Sequence, residues 1–390
     1  MNWPLNTSQF TLFDRLKLAL FFLNGKNFWT QNKQVQLFEK EMAEYVGVKY
    51  AVFVSSGSTA NTILAMMLKD DKKDNKKKIV FPSTTWTTSI APFIREGFEP
   101  VFLDISSKDF SLDLNLLDKY LEKNHKEVKC IFITSLLGFV PDINKLAYLR
   151  QKYKVRIMMD NCENTLGFYN EDNVSSFFTS TTSTYFGHQI QSVEGGFLFT
   201  NNINEYEYFL LARNHGMTRS LPLELRAKYM NHDVDSRFDF NILGNNFRNT
   251  DVHAKIGRLD LLRINKYINN RINKYEKFYS FMDKGKYYLP DFQQQICNVP
   301  FCLPIILKNP NLNLISKAKK FCDDNNIETR PIISGNLLRQ TCYKTYGNPN
   351  QFPNSEYLHK FGFYVGLHNK VTTKQIKFLT DFLNKLKIGE

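Results

Sequence analysis

The sequence predicts an α/β protein: a large domain built on a mostly parallel sheet, followed by a smaller α+β domain. Three observations predict it. Between residues 34 and 255 short apolar runs alternate with amphipathic stretches, the pattern of strand–helix units feeding a parallel sheet. After residue 255 that alternation stops and a long charged helical stretch takes over. Clusters of Ser, Thr, Gly, Asp and Asn follow directly on the apolar runs, and in open α/β sheets ligand sites gather at the carboxyl ends of strands. We therefore divide the chain into a large domain over residues 1–255, N-terminal segment included, and a small C-terminal domain over residues 256–390.

The elements follow in order. The first apolar run, residues 18–23, is too short for a bilayer, which takes about 20 residues, and lacks a small-residue cleavage site. Phe13, Leu16, Leu20 and Leu23 recur at helical spacing, so the segment reads as an amphipathic helix. Residues 49–54 read as a buried strand. Ser58 then caps a helix whose core face is Ile63, Leu64, Met67 and Leu68. Residues 69–78 mix lysines with acids and read as a solvated loop. Further strands are expected at 79–81, 101–103, 130–133, 155–159 and 197–199, with helical period over 114–123 and 143–152. In the second half we expect a helix over 259–284 and a strand with edge-like prolines at 300–307. A helix over 315–325, the segment 328–331 and a last helix over 373–387 complete the chain.

Composition narrows the function. A hydrophobic content of 43% and an aromatic content of 14% exclude a disordered chain. The net charge of +13 raises the question of nucleic acid. The lysines are scattered, however, and a basic surface equally suits a nucleotide-linked substrate, so no nucleic-acid partner is expected. The cysteines at 130, 162, 297, 302, 322 and 342 form no CxxC pair and no secretory framework. Reduced thiols, a cytoplasmic location and no membrane partner are the expectation.

The candidate chemistry sits after the strands. In the run at 55–61, Gly57 allows close backbone approach, and Ser58 adds a hydroxyl at a helix start that suits a phosphate monoester. Standing alone, this run reads equally as a capped helix after a tight turn. Trp86 follows the strand at 79–81 and can stack on a planar heterocycle or fill the core. Asp160 ends the strand 155–159, where it can hold a heteroaromatic nitrogen protonated, cap a helix in the next segment, or join a magnesium site, though no second acid of suitable context stands out. His188 is an imidazole that moves protons near neutral pH, or a structural histidine. The Glu194-Gly195-Gly196 turn brings backbone close to a ligand. His215 and Arg219 occupy a glycine-containing loop and serve as diphosphate or sugar contacts or as surface residues. Asn246 carries little signal alone.

Taken in order, five spaced motifs resemble the sugar aminotransferase/dehydratase family with the aspartate aminotransferase fold. They are the run at 55–61, the strand ending at Asp160, Ser183 with position 188, the turn at 194–196, and Gly-x-Asn-x-Arg at 244–248. The resemblance implies a fold-type I scaffold for pyridoxal 5'-phosphate and its amine form, pyridoxamine 5'-phosphate. Gly57, Ser58 and Ser183 would hold the phosphate, Trp86 would stack on the ring, and Asp160 would pair with the ring nitrogen. Glu163 stands where aminotransferase relatives more often carry glutamine. Asn246 would reach the cofactor phosphate of a neighbouring subunit, which implies a homodimer with shared active sites.

Where aminotransferases of the family carry a lysine, this sequence has His188. That histidine, with Trp86, residues 160–163 and the segment 330–337, is similar to the branch of 3-dehydratases acting on GDP-linked 4-keto-6-deoxy sugars. The resemblance implies non-covalent cofactor, His188 as acid and base, loss of the carbon 3 hydroxyl, and L-glutamate as the donor that restores the amine. Arg330 is a candidate substrate contact in the segment that distinguishes this branch. A second lysine-less branch adds an iron–sulfur cluster; the spread of cysteines here implies none. The alternatives are a nucleotide-sugar 4-aminotransferase and an inactive binding protein on the same fold.

Overall fold

The structure is a computed structural model and describes residues 2–25, 28–290 and 296–387. The large sheet begins with β1 (Tyr50–Val54), β2 (Lys78–Pro82), β3 (Glu99–Leu103), β4 (Val128–Thr134) and β5 (Arg156–Asp160). Two short strands, β6 (Phe168–Tyr169) and β7 (Asp172–Asn173), precede β8 (Thr179–Ser183) and β9 (Gly196–Thr200). The seven-stranded order is β1-β9-β8-β5-β4-β2-β3. Neighbours from β8 to β3 pair parallel, and β9 runs antiparallel to both β1 and β8. The predicted parallel sheet is therefore present, and each predicted strand in it lies within two residues of an observed one.

One strand of this sheet escaped the pattern. β8 reads Thr-Ser-Thr-Thr-Ser and is nearly buried throughout. Its hydroxyls find partners, with Thr181 donating to Asn61 at 2.6 Å and Ser180 to the Ser175 carbonyl at 2.8 Å. Hydrogen bonding in place of apolar side chains makes burial of such a strand tolerable.

Three helices of the N-terminal part matter for the site: α1 (Leu12–Leu23), α2 (Lys33–Val46) and α3 (Gly57–Asp70). The predicted helix α1 forms, started by a Thr11–Asp14 capping box and tied down by the Asp14–Arg263 ion pair. Its apolar face, however, points away from the core: Phe13, Leu16, Leu20 and Leu23 are all exposed. For α3 the structure corrects the cap. Ser56, not Ser58, is the N-cap, accepting from Thr59 N at 3.1 Å while Thr59 Oγ1 accepts from Ser56 N at 3.0 Å. Ser58 falls in the first turn, and its hydroxyl donates to Thr88 at 2.9 Å.

The second half is built on β10 (Tyr287–Tyr288), β12 (Cys302–Leu307), β13 (Thr329–Pro331) and β14 (Gly362–Gly366), an antiparallel sheet in the order β10-β12-β14-β13. A further short strand, β11 (Ile296–Cys297), pairs with β6 instead. The helical stretch expected over 259–284 is two helices, Asp251–Leu261 and Ile264–Phe281, broken at Leu262 and Arg263. Arg263 turns its guanidinium to Asp14, Asp260 and Tyr267 at the break.

The two halves share surface at several points. Trp3 is fully buried in the core of the C-terminal half, and its indole N–H donates to the Gly366 carbonyl at 2.9 Å. In the other direction, Leu337, Leu338 and Tyr343 pack into the cluster formed with α3 and β2. Ser355 bonds the hydroxyls of Ser83 and Thr84 at 2.6 and 2.8 Å. No helix among the described residues is long and apolar enough to cross a membrane.

Candidate active site

A cavity of about 680 Å³ opens at the carboxyl ends of β1, β2, β4, β5 and β8, as the rule for α/β sheets requires. It brings together Gly57, Ser58, Trp86, Asp160, Glu163, Ser183, His188 and Arg330 from the residues singled out in the sequence. Asn246, His215 and Arg219 do not line it. Asn246 lies on the same irregular surface as the 213–219 loop, bridging to Asn214, and accepts from Arg248 Nε at 3.0 Å. His215 adopts a left-handed φ of 59° beside Gly216, and Arg219 lies over the Phe238 ring at 5.5 Å. That surface carries exposed Phe238, Phe240 and Leu243.

The floor is set by the turn from β1 into α3. A Cβ on Gly57 would sit 2.8 Å from Cys162 Sγ and 3.0 Å from Ser183 Cβ, so only glycine lets this turn approach the end of β8. Gly196 does the same from the other side: a Cβ there would lie 2.4 Å from the Ser56 carbonyl carbon and 2.5 Å from Gly57 N. The close approach expected of the 194–196 turn is thus between backbone and backbone. The result is the amino end of a helix, with Ser58 and Ser183 beside it, facing the cavity. Such an end favours an anion.

Asp160 closes β5 and a turn, not a helix, follows it directly, which removes the helix-cap reading. Its carboxylate is buried and accepts from Asn61 Nδ2 at 2.8 Å, Ser89 Oγ at 2.7 Å and Cys162 N at 3.0 Å. It has no cationic partner among the described residues. Asn61 is itself oriented by Thr181 of β8. Sequence reasoning missed Asn61 and Ser89 as the groups that aim Asp160; the signal was their place in the first turns after β1 and β2.

Glu163 accepts from Leu137 N at 2.8 Å. Burial, and then the neighbouring Asp160 charge, push its carboxyl up to about 8 against the pull of that N–H, so it holds its proton at neutral pH. Trp86 lines the cavity and remains 56% exposed.

His188 sits on the wall between Tyr185 and Phe301, whose ring centroids lie 6.1 and 5.6 Å away. Its Nδ1 is 2.6 Å from the Cys162 carbonyl oxygen. A carbonyl only accepts, so Nδ1 carries the proton and Nε2 keeps the lone pair whenever the ring is neutral. Burial holds the imidazole down at about 4, opposed by the Cys162 carbonyl and the Asp160 charge and reinforced by Arg271. At neutral pH His188 is therefore an unprotonated base with a fixed tautomer. Arg271, Tyr364 and Cys302 also line the cavity; they come from the second half and carry no local motif. No group of three or more His, Cys, Asp or Glu among the described residues is placed to hold a metal ion.

Comparison with known proteins agrees with this geometry. A family model described as the DegT/DnrJ/EryC1/StrS aminotransferase family matches residues 17–384. The chain is similar to the GDP-4-keto-6-deoxy-D-mannose 3-dehydratase of Yersinia pseudotuberculosis, 29% identical over 99% of both chains. It is 30% identical to the enzyme of the same name from Escherichia coli O55:H7, covering 98% of this chain and 100% of that one. A solved GDP-4-keto-6-deoxymannose-3-dehydratase with a trapped PLP-glutamate geminal diamine superposes with a TM-score of 0.90 at 27% identity, covering 98% of this chain and 100% of that one. Family model, matched length and a shared fold-type I architecture converge: the chain belongs to the DegT/DnrJ/EryC1/StrS aminotransferase family.

Proposed function

We propose that this chain is a pyridoxal/pyridoxamine phosphate-dependent 3-dehydratase. It removes the carbon 3 hydroxyl of a GDP-linked 4-keto-6-deoxy sugar of the mannose or heptose type, in dideoxysugar synthesis for a surface polysaccharide. One observation carries the reading. His188 occupies the cavity wall, and among the described residues no lysine lines that cavity. The cofactor therefore has no amine of the protein to bond to and is held non-covalently.

The residues fit such a cofactor. Asp160 is a buried carboxylate with three neutral donors and, among the described residues, no cation, so a protonated ring nitrogen would complete it. The amino end of α3 with Ser58 and Ser183 suits the phosphate. Trp86 offers a flat face to the ring. Protonated Glu163 presents both a donor and an acceptor, as the glutamine of aminotransferase relatives does.

When bound, the cofactor supplies an amine for the keto carbon and a ring that stores electrons. The protein's own side chains do the rest. His188 would serve that chemistry as base and acid, taking up a proton at Nε2 and giving one to the departing hydroxyl. The Cys162 carbonyl keeps the imidazole in the tautomer this requires. Asp160 holds its proton partner in place through Asn61 and Ser89. L-glutamate would be the amine donor that returns the cofactor to its amine form. We place the enzyme in the cytoplasm as a homodimer, in which Asn246 of one subunit reaches the phosphate of the other subunit's cofactor. His215, Arg219 and Arg330 are assigned to the sugar nucleotide.

The test is an incubation with L-glutamate and GDP-4-keto-6-deoxymannose, read by mass spectrometry. The expected product is a 4-keto-3,6-dideoxy sugar. A 4-amino sugar that keeps its carbon 3 hydroxyl would overturn the reading in favour of an aminotransferase. No change in the sugar, with no visible absorbance on adding cofactor, would favour a binding protein.

A further inference from the structure

The reaction as described leaves one buried charge on the cavity wall without a task. Arg271 comes from the helix Ile264–Phe281, is only 4% exposed, and lines the cavity beside Phe301 and Cys302. Its Nη1 donates to the carbonyls of Pro300 at 3.1 Å and Phe301 at 3.0 Å. Its Nε and Nη2 donate to nothing among the described residues. The anion it feels, Asp260, is held by Arg263 at 3.4 Å and by Tyr267 at 3.2 Å. Burial lowers the guanidinium only to about 10, so it stays charged at neutral pH. A buried cation without a counter-ion is destabilising until an anion arrives.

We propose that Arg271 receives a carboxylate of the amino donor, gripping it through the free edge of the guanidinium while the donor's amino group faces the cofactor. The inference rests on reading L-glutamate as that donor. Three placements favour a carboxylate over a phosphate. The cavity's phosphate end is already formed by Gly57, Ser58 and Ser183. The diphosphate of a sugar nucleotide is assigned to Arg330, which is exposed and, among the described residues, ion-pairs with Glu328 alone at 3.1 Å. Arg271 lies deeper, near enough for its charge to be felt by His188. An amino acid has its carboxylate one bond from the carbon that carries the amine, so a donor reacting beside His188 carries that group to this part of the wall. The guanidinium fork matches a carboxylate with two parallel hydrogen bonds.

Glutarate, which has the donor's two carboxylates but no amine, is the probe. Calorimetric titration of cofactor-loaded protein gives its affinity, and absorbance of the cofactor during the glutamate half-reaction gives KM and kcat. Arg271→Gln is expected to weaken glutarate binding and raise the KM for L-glutamate by about tenfold or more, with a smaller change in kcat. Arg271→Lys, which keeps the charge and loses the fork, should recover part of the loss. Equal glutarate affinity and equal KM in Arg271→Gln and the parent overturn the proposal. So does a variant that folds but no longer retains cofactor, since Arg271 would then serve the cofactor itself. If Arg271→Gln fails to fold, unchanged constants in Arg271→Lys overturn it instead. A parent protein that takes no amine from L-glutamate sinks the donor reading, a result distinct from parity between parent and variant.

Discussion

At His188 the protein solves two problems with one hydrogen bond. The Cys162 carbonyl turns an imidazole that could protonate at either nitrogen into one with a single free lone pair. His188→Asn removes that lone pair and should lower dehydration by about 10²–10⁴-fold while visible absorbance shows cofactor still bound; full turnover in the variant would take the histidine out of the mechanism. The same residue predicts a pH signature. Its folded value of about 4 lies below the ordinary 6.5, so the unfolded chain binds the extra proton first. Stability of the cofactor-free protein is then fully present above pH 6.5 and is lost as pH falls toward 4. Thermal melts of His188→Asn should show a flatter slope in that window. Glu163 predicts the opposite sign: its raised value of about 8 gives stability present below pH 4.5 and lost as pH rises through 8, and Glu163→Gln should flatten that limb. Asp160 and Trp86 were legible in the sequence because one ends and the other follows a readable apolar strand, and His188 through its place among the spaced family motifs. Arg271 was not, because its signal is burial without a partner, which exists only once the helix Ile264–Phe281 has been folded against Phe301.

Among the elements, the turn from β1 to α3 depends on what β9 lacks. Gly196 presses its α-carbon onto Ser56 and Gly57, so Gly196→Ala must push the turn away or distort β9. A loss of about 1–3 kcal/mol is expected from overpacking of this kind, seen as a lower unfolding temperature with weaker cofactor retention. Parent-like values for both would show that the turn yields without cost. The apolar strands were readable because a parallel sheet buried on both faces demands continuous hydrophobic runs. β8 was not, since its burial is carried by hydroxyl pairs such as Thr181 with Asn61. The break at Leu262 and Arg263 was equally silent, for helical periodicity continues across it while Arg263 turns aside to Asp14. In α1 the periodicity gave the helix and its apolar face, but periodicity does not say what covers a face.

For the whole molecule, that open face is the main clue to assembly. Leu12, Phe13, Leu16, Leu20 and Leu23 on α1, with Phe238, Phe240 and Leu243 near Asn246, expose more apolar side chain than scattered surface residues require. A homodimer should sediment with about twice the 45.7 kDa chain mass; a fully active monomer would remove the shared-site arrangement. The parallel sheet and the later change of pattern were visible in the sequence, but the exchange between halves was not. Ser355 on Ser83 and Trp3 against Gly366 join residues hundreds of positions apart. Trp3 also sets an order of events. Leu5 and Asn6 line the cavity, and the strand that anchors them ends at Gly366. On the ribosome, Trp3 emerges 363 residues ahead of Gly366 and must wait for it before the cavity closes. A nascent chain can assemble its large sheet early, but it cannot shelter a cofactor until β14 has been made.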